Sequence, residues 1–327
     1  MIRINEAYRV LFLADHKIIT KKSHKVKVYS IDESEYQLVK SIYLGANNSI
    51  SDLQKVALLK KYEFLIDAQH AFNYYATPFE KASLFLEAFL DDGKDHVEVL
   101  RKKTVMIIGL GGVGACVAMH LLSSGVQNFI LIDFDTIDSN NLNRQYCYSL
   151  KDVGLNKSFV LKKYLLDRCA KANIVAVNEK ILSESQIHDI VNGKFSVDLV
   201  VNAADTPAYN IQNIVMKYCV NENTNYAVAD VGINNGAWMI CEASMLNSLQ
   251  NLISENQALL SDLDCIKPCE GSLGPFNSII VDYLCIDIIM FFLDQHEKVL
   301  AMNKTMIYDW NRNRLKKQKG SRHKKIC

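Results

Sequence analysis

The chain has 327 residues, 49% of them apolar, and a formal net charge of +1. That length and apolar share support a substantial core, divided into one large and one small domain. The near-zero charge gives no overall field to select nucleic acid or a membrane surface, so neither is expected as a partner. Nine scattered cysteines, an odd number, suit reduced thiols in a cytoplasm better than a disulfide framework. The N-terminus, MIRINEAYR, lacks the apolar stretch of a signal peptide, and the longest apolar run, Tyr283 to Leu293, is too short to span a bilayer and contains Asp287. A cytoplasmic location is the expectation.

Residues 1–98 read as a small α+β, winged-helix-like domain. Tyr8 to Ala14 and Lys25 to Ile31 have strand character. Glu33 to Leu44 has helical apolar spacing at Tyr36, Leu38, Val39, Ile42 and Leu44, and Ala46-Asn47-Asn48 stops it. Ser51 and Asp52 open a second helix through Leu59, and Tyr62 to Ile66 returns to strand. Such domains often bind DNA, but the charge balance is not basic enough to favour that use.

Residues 99–310 read as a doubly wound, Rossmann-like, mainly parallel sheet. Thr104 to Ile108 is a continuous apolar strand, followed at once by Gly109, Gly111, Gly112 and Gly114 and an apolar helix to about Ser124. Small residues let the backbone turn tightly against a phosphate, whose charge the helix N-terminus favours. The next strand, Asn128 to Ile132, ends in Asp133, nineteen residues after Gly114, where a dinucleotide fold places its ribose carboxylate. Those features alone fit a nicotinamide dehydrogenase. A dehydrogenase, however, needs no Asp135 and no Asn141, Arg144, Gln145 cluster, with Lys157 beyond it. Positioned Arg and Lys groups are what an enzyme that attacks ATP needs to neutralise phosphate charge. Taken singly, Arg144 and Lys157 also read as solvated surface charges.

The alternation continues with a helix from Lys157 to about Cys169, strands Ile174 to Val177 and Val197 to Ala203, a helix from Ala208 to Asn221, and a strand Tyr226 to Val231. Gly236 to Cys241 begins an antiparallel extension. Asp205 falls just past a strand's carboxyl end, where such sheets bind ligands. One carboxylate plus phosphates is an ordinary magnesium environment; the other reading of Asp205 is a helix N-cap ahead of Pro207. Residues 242–276, including DLDCIKPCEGSLGPF, read as loop, Pro275 to Leu293 as a buried helix and Thr305 to Trp310 as a last strand. The tail, 311–327, carries eight Lys or Arg and reads as a solvated basic end or a site for an acidic peptide. No CxxC occurs; Cys265 and Cys269 are spaced CxxxC, so structural zinc is not expected.

GLGGVG, LIDFDTIDSNNLNRQ, VGLNK and NAADTP, in that order, resemble the ubiquitin-activating-type adenylating enzymes, the group of ThiF, MoeB and MccB. The resemblance covers about residues 100–240 well. It implies that Gly109, Gly111, Gly112 and Gly114 form the phosphate turn and Asp133 holds the ribose. It further implies that Asp135 and Asn141 line the nucleotide pocket, Arg144, Gln145 and Lys157 contact the triphosphate of ATP, and Asp205 binds Mg2+. Arg144, Lys157 and Asp205 are then the catalytic set, and 242–276 crosses over the nucleotide.

A small domain ahead of the adenylating one is similar to the enzymes that mature microcin C and pantocin. The resemblance implies that residues 1–98 clamp the leader of a ribosomally made precursor peptide by strand addition, within a homodimer. The implied reaction is adenylation of a precursor carboxylate, in a pantocin-type enzyme of glutamate side chains, leading to dehydrative modification or cyclisation. Two alternatives stand beside it: adenylation of the C-terminus of a ubiquitin-like sulfur-carrier protein, and a non-catalytic peptide- or nucleotide-binding partner. Cys265 or Cys269 is a candidate thioester nucleophile. One departure from the family is that HAFNYYATPFEKASLF lacks the arginine that relatives lend to the partner's ATP; Lys81, Arg3 or Arg9 are the available cations, and a lysine lacks the bidentate fork.

Overall fold

The structure, a computed structural model, describes the chain except for residues 1, 5–8, 23–24, 46–52, 63–64, 68–69, 194, 208–209, 249–270 and 319–327. It divides into two compact units, Met1–Glu98 and Val99–Cys327.

The first unit is α+β. Its elements are β1 (Ile2–Ile4), β2 (Arg9–Phe12), β3 (Lys17–Lys22), β4 (Lys25–Ser30), α1 (Glu33–Gly45), α2 (Leu53–Lys61), β5 (Leu65–Asp67) and α3 (Glu80–Leu90). Strands β2, β3 and β4 form an antiparallel meander, and β1 pairs with β5. Buried Ile18, Tyr36, Val39, Ile42, Leu59 and Tyr62 make its core, and the Tyr62 hydroxyl keeps a partner by donating to Glu35 Oε1 at 2.6 Å. The sequence showed no strand at β3. Lys17, Lys21 and Lys22 obscure the inward pair Ile18 and Thr20, both buried. The turn ahead of it is made by His16, with φ +56°.

Helix α4 (His96–Arg101) precedes the sheet of the second unit. That unit contains β6 (Thr104–Ile108), α5 (Gly114–Ser124), β7 (Asn128–Ile132), α6 (Lys157–Leu166), β8 (Asn173–Val177), α7 (Glu184–Val191), β9 (Leu199–Asn202), α8 (Ile211–Asn221), β10 (Asn225–Val231), β11 (Asn235–Cys241), α9 (Gly274–Phe292), β12 (Met306–Asp309) and β13 (Arg314–Lys317). The strand order is β13-β12-β11-β10-β9-β6-β7-β8. Strands β10, β9, β6, β7 and β8 are parallel, and β11, β12 and β13 add antiparallel to one edge. The Rossmann-like expectation and the antiparallel extension at Gly236 to Cys241 both hold. Apolar runs such as VMII in β6 and FILI in β7 are buried throughout because helices cover both faces.

Two expectations change. Arg314–Lys317 are a strand, not part of a free basic tail: β13 pairs with β12, where Lys316 Nζ reaches Asp309 Oδ2 at 3.0 Å. The helix expected over Pro275 to Leu293 is present, but it extends well beyond the apolar run Tyr283 to Leu293 that is too short to cross a bilayer. Helix α9 has 19 residues and passes for a membrane span by length and composition, yet half of that stretch is buried inside the protein. Asp287 on its inner side accepts from Trp238 Nε1 (2.8 Å), Leu300 N (2.7 Å) and Ala301 N (2.9 Å). Much of the expected crossover, with Cys265 and Cys269, lies outside the described residues.

Candidate nucleotide site

Strand β6 has β7 on one side and β9 on the other, so the chain winds away from it in both directions. The carboxyl end of β6 is therefore the switch point at which open α/β sheets bind ligands. Here the glycines earn their places. Gly109 has φ +89°, its N–H donates to Ile132 O at 2.9 Å, and a Cβ there would lie 2.6 Å from Ala204 N. A Cβ on Gly114 would sit 1.9 Å from Gly109 O, so the turn closes only without one. Helix α5 begins at Gly114 behind Val113, which provides no side-chain cap, leaving its positive end for an anion.

Asp133 is 7% exposed at the end of β7. Its Oδ2 accepts from Leu110 N at 2.6 Å and its Oδ1 from Asp135 N at 2.8 Å. Burial pushes its carboxyl above the usual carboxylate range, and the Lys157 charge with these two N–H groups pulls back. The VGLNK segment runs beside the acids. Asn156 caps α6 by accepting from Ser158 N at 3.0 Å, Lys157 N donates to Asp135 O at 3.0 Å, and Lys157 Nζ lies 2.9 Å from Asp135 Oδ2. Lys157 is thus a buried cation set between two carboxylates, not a solvated surface charge.

Arg144 Nη1 donates to Asn140 O (3.0 Å) and Asn143 Oδ1 (2.8 Å). Its Cγ is 3.4 Å from where a Gly112 Cβ would stand, so it does lie against the phosphate turn. Asn141 is buried: its Oδ1 accepts from Asp138 N at 3.1 Å, and its Nδ2 donates to Asn140 Oδ1 at 2.7 Å. Gln145 is 2% exposed beside Gly111, and its Oε1 has no hydrogen-bond partner. A ligand N–H or O–H would fill that buried position. Asp205 is exposed past the end of β9, next to the Ala203–Ala204 backbone that Gly109 abuts, and accepts from Thr206 Oγ1 at 3.3 Å. It does not cap α8, whose N-cap is Asn210. The structure thus brings all the motif residues to one end of one sheet, and both the open glycine cradle and the orphaned Gln145 oxygen fit a nucleotide.

A model of the ThiF family matches residues 83–327. The chain belongs to the ThiF family. Two curated relatives show its range. The tRNA threonylcarbamoyladenosine dehydratase of Bacillus subtilis is 33% identical over 133 residues, 40% of this chain and 50% of that protein. The adenylyltransferase and sulfurtransferase MOCS3 of Dictyostelium discoideum is 25% identical over 215 residues, 64% and 47%. The chain spans about half the length of these relatives. Among solved structures, Escherichia coli MccB with ATP has a TM-score of 0.68 at 21% identity, covering 98% of this chain and 97% of that one. The structure of PaaA gives 0.66 at 16%, covering 96% and 98%. At those identities the likeness is one of fold.

In this ThiF-family chain the four motifs leave out residues that complete the site. The Tyr148 hydroxyl donates to Leu110 O at 2.9 Å and braces the glycine turn from within the core. Asn277, 5% exposed on α9, places Oδ1 2.8 Å from a Gly112 Cβ position, while its Nδ2 donates to Ser272 Oγ at 2.9 Å. No local pattern marks Asn277, which reaches the turn from 165 residues away in sequence; the one available signal was the Gly-Pro helix start just before it. Cys116 and Cys285 are buried, and burial raises both thiols, Cys116 to about 11, in keeping with core roles. Lys81 is exposed on α3, and the side chains of Arg3 and Arg9 lie outside the described residues. Among the described residues no group of three His, Cys, Asp or Glu is placed to hold a metal. One carboxylate such as Asp205 would be enough for a magnesium ion whose other ligands are phosphates and water.

Proposed function

We propose that this protein uses ATP to activate a carboxylate. One carboxylate oxygen attacks the α-phosphorus, the bond from that phosphorus to its bridging oxygen breaks, and pyrophosphate leaves with the electron pair, giving an acyl-adenylate. The observation that carries the reading is the closed glycine turn with Asp133, Arg144 and Lys157 all set around it. A hydride-transfer site has no use for a buried lysine beside the ribose acid, whereas phosphate cleavage needs placed cations. In this reading the two free lone pairs of Asp133 take ribose hydroxyls, and Gln145 takes a nucleotide N–H or O–H. Arg144 and Lys157 turn from their present partners to the phosphate oxygens. Mg2+, which Asp205 would hold, supplies further neutralisation of phosphate charge.

For the acyl substrate, the reading favoured is a ribosomally made precursor peptide, modified in peptide antibiotic biosynthesis and held by residues 1–98, in a homodimer. What supports it is the reach of the MccB likeness. Residues 1–82 lie outside the family match, yet MccB with N-formylated MccA, described as a microcin C7 biosynthetic enzyme, is similar over 100% of this chain and 98% of its own, at a TM-score of 0.68. The second reading, the C-terminus of a sulfur-carrier protein, is favoured by the MOCS3 relative. Pyrophosphate release measured with candidate precursor and with carrier protein decides between them. Release with neither, beside tight ATP binding, would leave a non-catalytic binding partner.

A further inference from the structure

Beyond the phosphate turn, a second concavity opens at the same edge of the sheet. Val231, Ile233, Ser272, Leu273 and Phe276 line a cavity of about 200 Å³ at the carboxyl end of β10. Among the described residues, its side-chain walls are apolar apart from Ser272. Ile233 and Leu273, 69% and 55% exposed, form its lip, and a Cβ at Gly271 would stand 3.8 Å from Ile233 Cδ1. Its back is packed: Phe276 stacks on Trp310 at 4.6 Å between centroids, and Trp310 Nε1 donates to Gly232 O at 3.1 Å.

Two side chains tie this wall to the nucleotide site. Asn277 donates to Ser272 Oγ while its other amide atom abuts Gly112. Asn143 donates to Ser272 O at 2.9 Å while its Oδ1 accepts from Arg144. Register sets the separation, because Asn202 of β9 pairs with both Ile108 of β6 and Val228 of β10. Two strand spacings, about 10 Å, separate β6 from β10 at that level, and the glycine turn and Val231 both lie just beyond it. An extended peptide covers that in about three residues. A substrate with its carboxylate at the phosphates therefore lays a neighbouring side chain over the cavity. An Asn, Asp or Lys side chain there would give up water for walls that return almost no hydrogen bonds.

We infer that this cavity is the specificity pocket for the acyl substrate: it seats an aliphatic or aromatic side chain within three residues of the carboxylate that is activated. The inference rests on the adenylation reading above. Its test uses the full chain and N-acetyl tetraglycine analogues carrying Leu, Phe, Asn or Lys at each of the last three positions. Affinities are measured calorimetrically in the presence of AMPCPP, whose own affinity is titrated first. The expected result is that Leu or Phe at one position binds about tenfold or more better than Asn or Lys, on the scale by which apolar pockets discriminate. Ile233→Gln and Leu273→Gln, both lip positions that tolerate a polar group, should each erase that preference and leave AMPCPP affinity unchanged. Equal affinities for all the peptides, or no peptide binding beside normal AMPCPP binding, would overturn the pocket alone. Absence of AMPCPP binding would instead remove the adenylation reading.

Discussion

Lys157 and Asp135 form an ion pair at 2.9 Å in which the lysine side chain is 8% exposed and the carboxylate 48%. The pair fixes a buried ammonium one acid away from Asp133, whose ionised form it favours. Removing the cation as Lys157→Met should raise the Asp133 carboxyl further above its ordinary range. Nucleotide affinity that depends on ionised Asp133 falls as pH drops through that carboxyl's pKa. The variant should therefore lose affinity at a higher pH than wild type. ATP titrations across pH check this, and superimposable profiles would separate Lys157 from Asp133. At neutral pH the same variant should lose more turnover than affinity.

Arg144→Ala and Asp205→Ala should each reduce pyrophosphate release about 10²-fold, the scale on which one preorganised charge at a transition state counts. Rate assays at saturating ATP read it. Wild-type rates in either variant would exclude that residue from the chemistry.

The glycines make a paired test. Gly114→Ala puts a Cβ 1.9 Å from Gly109 O and should cost about 1–3 kcal/mol as well as nucleotide binding. Gly111→Ala meets only Gln145 Nε2 at 3.6 Å, ordinary contact, and should change stability by less than about 0.5 kcal/mol. Thermal melts with and without ATP distinguish the two.

Asp287→Ala removes the acceptor of Trp238 Nε1, Leu300 N and Ala301 N together and should cost about 3 kcal/mol or more. Burial raises this carboxyl despite its three donors. Its contribution to stability is therefore fullest below the unfolded carboxylate pKa and is lost as pH rises through the folded one. The cost of the substitution should thus be smaller at neutral pH than in the acid range. Urea unfolding followed by tryptophan fluorescence reports it, since Trp238 and Trp310 both belong to the second unit.

The parallel sheet, the glycine turn and the order acid, arginine, lysine were all legible in the residues. Each is a local pattern: buried strands read as unbroken apolar runs, and a turn against a phosphate demands small residues. The rest depended on how distant segments pack. Arg314–Lys317 became a strand because β12 offered an edge, which no charge count reveals. Lys157 became buried because α6 starts beside Asp135, and Asn277 reached Gly112 because α9 packs beside the turn. Burial and partnership are set by what lies across space from a residue, and in this chain the deciding neighbours come from distant segments.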